Sequence, residues 1–487
     1  MNVKSIRVNA ILNIIYTISN IVFPMITFPY VSRILLADGM GKVSFFTAVA
    51  NYAIMIASLG ISTYGIRATA KVRDNKYELS KTVAELLIIN VSMTAVVLAM
   101  LFVSIPLVGK FQDDVALLII NSVLIIGSAL GINWLYSGLE QYLYITKRSI
   151  IFKMISLILV FLFVHKRSDY AIYAAIVVFS STGSYLINFI YARKFVSFRN
   201  LGKLNLAQHL KPMMLLFASS LAVNVYTNLD TVMLGFISGD REVGLYTVAV
   251  KVKWLLLAVI NAISAVLLPR LSYYISEKKT EEFKRILKKS IVVIFMLSIP
   301  LSVFFNMEAR NSILLLGGED YVGATLCMRI VLPILLISGF SNITGNQILI
   351  PLGKDSCFMK AIVAGSLVDL VMNVILMPKY GAVGAAVATL IAECTQMSIQ
   401  LHFAKDYIWS NIQKKPIMKI LFSTLIAMVV VSGLKYVLNV HIGNYTVDAF
   451  VNLMVDSVVF FGMYSVIMLL TKEVYFRELI ISLVRRR

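Results

Sequence analysis

An acidic residue, Asp230, lies in a long apolar run near the middle of the chain, among amides and hydroxyls. In a helix these polar side chains recur every three or four residues and therefore share one face. The residues on that face are Ser220, Asn224, Thr227, Asn228 and Thr231. A carboxylate at membrane depth is strongly unfavourable unless it faces protein, a partner or a water-filled cavity. The run therefore predicts the lining of an interior polar site that contains an ionisable group.

A similar polar stripe occurs near the N-terminus, where it is followed by Pro24 and Pro29. Its members are Asn9, Asn13, Thr17 and Asn20. Because proline removes a backbone donor, we expect the helix to kink beyond the stripe. Two interpretations of these amides stay open. They bond between helices, each stabilising by about 1 kcal/mol, or they line a cavity.

Positive charges beside apolar runs are candidates for holding an anion. Arg67 and Arg270 lie at inner helix ends, where they either snorkel to lipid headgroups or act together in gating or phosphate binding. Lys251 and Lys253 are two residues apart, about 200° around a helix, so only one of them can face a given cavity. Arg33 ends an apolar run on the predicted outer side, against the usual charge bias.

A second basic group flanks the start of a later apolar run and consists of Lys147, Arg148 and Lys153. It either sets the orientation of the chain or contributes to binding. The other acids within apolar runs are Glu85, Asp369, Glu393 and Asp456. Each is a candidate carrier of a proton or cation, although Glu85 is near an inner helix end, where solvation is the alternative.

Composition places these residues in a membrane protein. Of the 487 residues, 59% are hydrophobic and 14% are charged, and the mean hydropathy is +0.84. A soluble protein has about 25% charged residues. The net charge of +20 follows from lysines and arginines in cytoplasmic loops rather than from nucleic-acid binding. Three cysteines without CxxC spacing and four scattered histidines support neither a disulfide framework nor a metal site.

Apolar runs of about 20 residues, enough to cross a bilayer, recur from end to end. We predict an all-α polytopic membrane protein with about 14 transmembrane helices. The predicted spans are 8–32, 43–66, 82–108, 115–137, 149–165, 170–192, 212–237, 244–267, 290–307, 326–350, 357–377, 381–403, 417–438 and 448–471. Most of the 45 lysines and arginines fall in alternate connecting segments, which predicts that both termini are cytoplasmic.

An internal repeat indicates how the spans are organised. The charged segment at 65–81 aligns with that at 268–284, and Arg67 meets Arg270 at nearly the same offset that relates six successive span starts. Six spans in each copy give parallel repeats, which commonly form two bundles around a central cavity. We therefore predict a six-helix lobe at 1–200, a second at 201–410, and two extra helices with a basic tail at 411–487.

Six blocks of the sequence are distinctive: NWLYSGLEQYLYITKRS (133–149), FPYVSRILLADGMGKVSFF (28–46), TNLDTVMLG (227–235), EVGLYTVAVKV (242–252), LPRLS (268–272) and PKYGAVGAAVAT (378–389). Together they resemble the bacterial O-antigen and capsule repeat-unit flippases (Wzx-type polysaccharide exporters). The resemblance spans nearly the whole chain. This family belongs to the same superfamily as the multidrug and toxin extruders. The resemblance implies a V-shaped pair of six-helix lobes with two trailing helices.

The implied substrate is an undecaprenyl-pyrophosphate-linked oligosaccharide, moved from the inner to the outer leaflet of the bacterial cell membrane. Pyrophosphate in a low-dielectric region needs fixed cations, and a sugar headgroup needs hydrogen-bonding side chains. The predicted site residues are Arg33, Arg67, Asn133, Glu140, Lys153, Asn224, Asn228, Lys251, Lys253 and Arg270. By resemblance, Lys251 rather than Lys253 fits the family pattern.

The resemblance also implies an energy source and partners. We expect no cofactor, but coupling to a proton or sodium gradient, with Asp230 as the first candidate carrier. The expected partners are the lipid-linked oligosaccharide, membrane lipids, a polysaccharide polymerase and glycosyltransferases, and no nucleic acid.

Three other functions compete with this one. A multidrug–cation antiporter would prefer an acidic, aromatic cavity, and a lipid II or teichoic-acid exporter would share the same physics. A membrane enzyme such as a polysaccharide polymerase would need a substantial outer loop with reactive residues. The long linkers here are instead cytoplasmic and basic, and no nucleophile–base arrangement stands out. The phosphate-loop-like GMGKVS (39–44) lacks the required glycine and hydroxyl. We therefore expect no enzymatic activity.

Overall fold

The computed structural model describes residues 6–437 and 443–484, and within those ranges the regular secondary structure is helical, without strands. This follows from the composition. Backbone N–H and C=O groups in lipid must bond within the protein, and a helix satisfies them locally. The chain divides into two compact units, with the boundary between Gly244 and Leu245.

The first unit contains ten helices and the start of an eleventh. They are α1 Ile6–Ser58, α2 Ile61–Val72, α3 Lys76–Ser104, α4 Gly109–Gln112, α5 Val115–Leu130, α6 Asn133–Gly138, α7 Tyr142–Phe163, α8 Tyr170–Thr182, α9 Tyr185–Ala192, α10 Ala207–Ile237 and α11 Asp240–Ser276. Short 3₁₀ turns lie at Ile105–Leu107 and Arg167–Asp169. Helix α1 packs on α3, α5, α7 and α10 and so forms the centre of this unit.

Local sequence sets several of these boundaries. Asn75 caps α3, since its side-chain oxygen accepts hydrogen bonds from the backbone N–H groups of Tyr77 and Glu78. Helix α1 runs through Pro24 and Pro29, and its backbone leaves helical geometry at Leu36 (φ 57°). That kink separates the first two predicted spans.

The second unit contains most of α11 and the remaining helices. These are α12 Thr280–Met307, α13 Ala309–Leu316, α14 Ala324–Val331, α15 Ile334–Asn342, α16 Asp355–Trp409, α17 Lys414–Val437, α18 Tyr445–Leu470 and α19 Val474–Val484. A 3₁₀ turn lies at Glu319–Tyr321, and a π-helix at Ile343–Leu349 follows α15. The backbone of α16 is non-helical at Gly381 (φ 50°), where the two predicted spans it contains meet.

The trailing helices α17 and α18 pack on each other, and α17 also packs on α12. Their shared core contains Val292, Phe304, Ile420 and Phe460, all of them buried. The hydroxyl of Tyr464 donates to the carbonyl oxygen of Met296 at 3.0 Å. The two extra helices predicted at the C-terminus are therefore part of the second unit.

The prediction of an all-helical membrane protein is confirmed, although the predicted spans 115–137, 170–192 and 326–350 are each divided between two or more helices. Within the described residues, ten helical stretches are long and apolar enough to cross a membrane, and the longest, Ile11–Val72 and Asp355–Trp409, each hold two predicted spans. The lobe boundaries predicted at residues 200 and 410 were derived from the internal repeat, and they stay predictions.

Helix α10 is the first helix of the predicted second repeat, yet it packs on α1 and α2 in the first unit.

Three glycines allow close packing between α1, the end of α10 and the start of α11. A Cβ added at Gly41 would lie 1.7 Å from the carbonyl oxygen of Asp240, and one at Gly244 would lie 2.0 Å from that of Ala37. Gly235 instead lies against the side-chain ring of Phe45. Only glycine permits the backbone-on-backbone contacts at Gly41 and Gly244.

We expect Gly244→Ala to lower the free energy of unfolding by about 1–3 kcal/mol, because the added methyl group overlaps a backbone carbonyl that cannot rotate away. The measurement is thermal unfolding of the purified protein in detergent. Gly433→Ala in α17 is the matched control, since its Cβ would meet nothing within 4 Å and alanine favours a helix. Equal melting temperatures for the two variants would contradict the close contact.

Candidate functional site

Lys153 on α7 is a half-buried cation surrounded by neutral groups. Its Nζ donates to Ser19 Oγ at 2.8 Å and to Asn20 Oδ1, and it lies 5.4 Å from the ring centroid of Tyr16. No acidic side chain among the described residues pairs with it. The charge is therefore held in place without being neutralised.

Arg148, about one and a half turns earlier on α7, is only 7% exposed. Its guanidinium donates from Nη2 to Asn133 Oδ1 at 2.9 Å and from Nη1 to Asn188 Oδ1, and it lies 5.5 Å from the ring of Tyr144. Its Nε has no hydrogen-bond partner among the described groups. Burying a charge is costly unless hydrogen bonds compensate, and here the compensation comes from amide oxygens and a ring face.

Asn188 is the centre of this network. Its side-chain oxygen also accepts from the hydroxyl of Tyr144 at 3.0 Å, and its Nδ2 donates to the carbonyl oxygen of Gly131 and to Asn133 Oδ1. Its own carbonyl oxygen accepts from the hydroxyl of Tyr136. One amide from α9 thus joins α6, α7 and the break after α5.

The local fold explains why these groups meet. Ile132 has a left-handed backbone (φ 37°) that ends α5 and starts the short α6. Trp134, Leu135 and Tyr136 of α6 are buried in a core shared with α2 and α3. The side chain of Asn133, at the start of α6, instead bonds to Arg148 on α7.

Glu140 links two other elements. Its Oε1 pairs with Arg73 Nη1 at 2.9 Å, and its Oε2 accepts from Asn9 Nδ2 at 3.3 Å. Of the predicted residues, Asn133 and Glu140 therefore lie where α6 meets α7, whereas Lys153 contacts α1 about three turns into α7. Asn9 thus bonds to the turn between α6 and α7 rather than to a residue within a helix.

The polar face on α10 is described only in part. Asp230 is buried and Asn228 is half-buried. The side chain of Asn224 lies outside the described side chains, as do those of Ser220 and Thr227.

The remaining predicted cations have separate surroundings. Arg67 on α2 and Arg270 on α11 are exposed, and Arg270 Nε donates to the hydroxyl of Tyr274 at 3.2 Å. Arg33 is half-buried and donates to the carbonyl oxygen of Pro29. On α11 Lys251 is half-buried, whereas Lys253 is buried with its Nζ 5.5 Å from the ring of Trp254.

The other acids in apolar runs have different surroundings from one another. Asp369 and Asn373, one turn apart on α16, are both fully buried. Glu393 accepts from Ser338 at 2.9 Å. Lys435 on α17 pairs with Asp456 at 3.5 Å and also with Glu308, and both acids are buried.

The solvated alternative for Glu85 is wrong, because this residue is only 1% exposed. Its Oε2 lies 2.7 Å from His209 Nε2 and accepts from Gln208 at 3.0 Å, while His209 Nδ1 lies 2.8 Å from the hydroxyl of Tyr64. The cluster ties α2 and α3 to the start of α10, which is a structural role.

Sequence reasoning missed Asn188 and gave Arg148 only as an orientation signal or an unspecified contributor to binding. The signal for Asn188 was a lone amide in the apolar run at 170–192. Asn188 and Arg148 are far apart in the sequence, so their spacing could not predict that they form a hydrogen bond.

Residues 6–275, more than half of the chain, match the model of a family described as polysaccharide biosynthesis protein. The chain belongs to the polysaccharide biosynthesis protein family. Residues 216–375 also match the MatE family model. A protein of Escherichia coli (strain K12), provisionally named an O-antigen transporter, is 25% identical over 411 residues, which are 83% of this chain and 98% of that protein.

Two solved structures share the fold of this polysaccharide biosynthesis protein. The lipid II flippase MurJ, in an inward closed conformation, superposes with a TM-score of 0.72 at 15% identity, over 97% of this chain and 100% of that chain. An inward-facing multidrug resistance MATE family transporter of the MOP superfamily gives a TM-score of 0.63 at 16% identity, over 80% of this chain and 94% of that chain. The fold is that of a polytopic membrane transporter, as the sequence predicted.

We expect Asn188→Leu to destabilise the protein by about 1.5–3 kcal/mol, because it leaves the buried guanidinium of Arg148 without one of its two amide partners. Thermal unfolding in detergent measures the effect. Ser181→Ala on α8 is the control, since that exposed hydroxyl bonds only to its own helix at Val177. A change of less than 1 kcal/mol for Asn188→Leu would show that the network does not hold the arginine.

Proposed function

We propose that this protein is a flippase that moves an undecaprenyl-pyrophosphate-linked oligosaccharide from the inner to the outer leaflet of the bacterial cytoplasmic membrane by alternating access. The proposal places both termini in the cytoplasm and assigns the product to O-antigen, capsule or exopolysaccharide synthesis. Family membership and the name of the Escherichia coli relative support a transporter rather than a polymerase or other enzyme.

The observation that carries the proposal is the state of Lys153. This cation is half-buried on α7, within the predicted span 149–165, and its described partners are a hydroxyl, an amide oxygen and a ring. A charge in that setting attracts an anion strongly, because low dielectric and neutral neighbours leave its field unscreened. Pyrophosphate is the anion that a polyprenyl-linked saccharide carries through the membrane.

Other residues have supporting roles in this mechanism. Asn133 and Arg148 bond the start of α6 to α7, on which Lys153 follows Arg148 by about one and a half turns, while Glu140 joins this part of the chain to α1 and Arg73. We assign pyrophosphate contact also to Lys251, and assign Arg33, Arg67, Arg270 and Lys253 to gating or headgroup contacts. The amides of Asn224 and Asn228 serve the sugar portion.

The energy source is a proton or sodium gradient, with Asp230 as the first candidate carrier because it is a buried acid on a polar helix face. Asp369, fully buried one turn from Asn373, is the alternative carrier in the second unit. A glycosyltransferase and a polymerase act before and after this step, on the substrate and on the product.

Lys153→Gln should lower transport of a fluorescent undecaprenyl-pyrophosphate oligosaccharide into proteoliposomes about 10- to 100-fold, which corresponds to one charge-assisted hydrogen bond of about 1.5–3 kcal/mol. Lys289→Gln is the control, because Lys289 is an exposed lysine paired with Glu478. An unchanged melting temperature confirms that Lys153→Gln folds. Equal rates for both variants would overturn the role of Lys153.

The MatE match favours one second candidate, a cation-coupled multidrug antiporter. The same proteoliposomes distinguish the two functions. Uptake of an organic cation without translocation of the lipid would assign the chain to the antiporter branch.

Asp230→Asn should abolish the dependence of transport on an imposed gradient while leaving lipid binding unchanged, since the amide has a similar shape but cannot bind a proton or hold a cation by charge. Imposing a proton gradient and a sodium gradient separately identifies the ion. If Asp230→Asn keeps its gradient dependence and Asp369→Asn loses it, the carrier is Asp369.

A further inference from the structure

A cavity of about 420 Å³ lies inside the first unit, where α1 ends and α2 begins. Its volume falls within the range of about 300–1,000 Å³ that small-molecule sites occupy. The lining residues are Asn51, Ile54, Met55, Ser58, Gly60, Ser62, Thr63 and Asn228. Five of these eight have an amide or hydroxyl side chain, and none is charged.

The backbone forms this cavity by breaking a helix. Leu59 (φ 44°) and Gly60 (φ 79°) have left-handed conformations between α1 and α2. A Cβ at Gly60 would lie 2.8 Å from the backbone nitrogen of Phe217 and 2.9 Å from the carbonyl oxygen of Met213. The break is therefore held directly against α10, whose Asn228 also lines the cavity.

The polar side chains here have hydrogen-bonding capacity to spare. Asn51, Ser62 and Thr63 are exposed, and no hydrogen bond joins their side chains to another group in the described part of the chain. Ser58 bonds only to the carbonyl oxygen of Met55, at 3.1 Å. These residues belong to the apolar stretch Ile11–Val72, where polar groups facing lipid would be unfavourable. They face water or a polar ligand instead.

Two other cavities in the same unit show that this polarity is local. One, of about 500 Å³, is lined mainly by apolar residues of α5 and α8 such as Ile120, Val123 and Phe179. Another, of about 570 Å³, is lined mainly by apolar residues such as Leu87, Val91 and Phe198. Those two suit hydrocarbon, whereas the cavity at Gly60 suits a ligand with hydroxyls.

Hydroxyl and amide groups both donate and accept, which matches the hydroxyl groups of a sugar. Among the described lining residues there is no cation to select an acidic sugar or a phosphate, and no anion to select a cationic drug. We propose that this cavity is a saccharide subsite, which binds an uncharged sugar ring of the lipid-linked oligosaccharide through Asn51, Ser62 and Thr63. The proposal rests on the flippase function and adds the class of sugar and the residues that recognise it.

The test compares binding of two lipids to the full-length protein in nanodiscs. One is undecaprenyl pyrophosphate, and the other is the same lipid carrying N-acetylglucosamine, a neutral sugar. We expect wild type to bind the glycolipid more tightly. Asn51→Leu should weaken glycolipid binding about three- to tenfold, the effect of one lost neutral hydrogen bond, and leave binding of the bare lipid unchanged.

A second variant tests the same subsite with a substitution that is less able to disturb folding. Ser62→Ala/Thr63→Val removes two hydroxyls with little change in shape, and should cause a similar selective loss. Its matched control is Thr395→Val/Ser398→Ala on α16, where both exposed hydroxyls bond to carbonyls of their own helix. The control should bind both lipids as wild type does, and melting temperatures should agree across the set.

Each other outcome overturns a defined part of the proposal. Equal weakening of both lipids by Asn51→Leu, or equal affinity of wild type for the two lipids, would show that the cavity holds only water. Tighter binding of the same lipid carrying glucuronic acid would overturn the preference for an uncharged ring. If wild type binds neither lipid, the proposed flippase function fails and the subsite fails with it.

Discussion

The cost of placing charge and unpaired polar groups in a low-dielectric region governs this structure. Arg148 illustrates the constraint, since a guanidinium that is only 7% exposed is held by the amide oxygens of Asn133 and Asn188 and by the face of Tyr144. Much of the architecture between α5 and α9 exists to bring those groups together. The short α6, the left-handed Ile132 and the packed tyrosines all serve the same network.

The same constraint separates structural polar groups from candidate functional ones. Glu85 and His209 form a hydrogen-bonded pair between α3 and α10, and Lys435 pairs with the two buried acids Glu308 and Asp456, so each of these acids has a local partner. Lys153 has neutral partners, and the hydroxyls of Ser62 and Thr63 have none in the described part of the chain. Lys153 thus lacks an acidic partner, and the two hydroxyls lack hydrogen bonds, among the described residues. A ligand that binds these groups would add interactions that the folded protein does not itself provide.

An amphiphilic substrate would match the separate charged, polar and apolar features of the first unit. A pyrophosphate needs a fixed cation, a neutral sugar needs groups that both donate and accept, and an isoprenoid chain needs only hydrocarbon. The first unit offers a cation on α7, a polar cavity at the break between α1 and α2, and apolar cavities lined by α3, α5 and α8. Membership of the polysaccharide biosynthesis protein family agrees with that chemistry.

The amino-acid sequence by itself determined the helical fold, the order of the membrane helices and the family. Those properties follow from hydropathy over about 20 residues and from contiguous motifs, both of which are local along the chain. It also indicated that Asp230 is an acid within an apolar run, and it gave Asn133 and Lys153 as candidate site residues. Only the tertiary structure decided how those polar groups pair, because pairing depends on contacts between distant segments. Sequence spacing could not show that Asn188 holds Arg148, that Glu85 is buried against His209, or that Gly60 presses on α10 and opens a polar cavity.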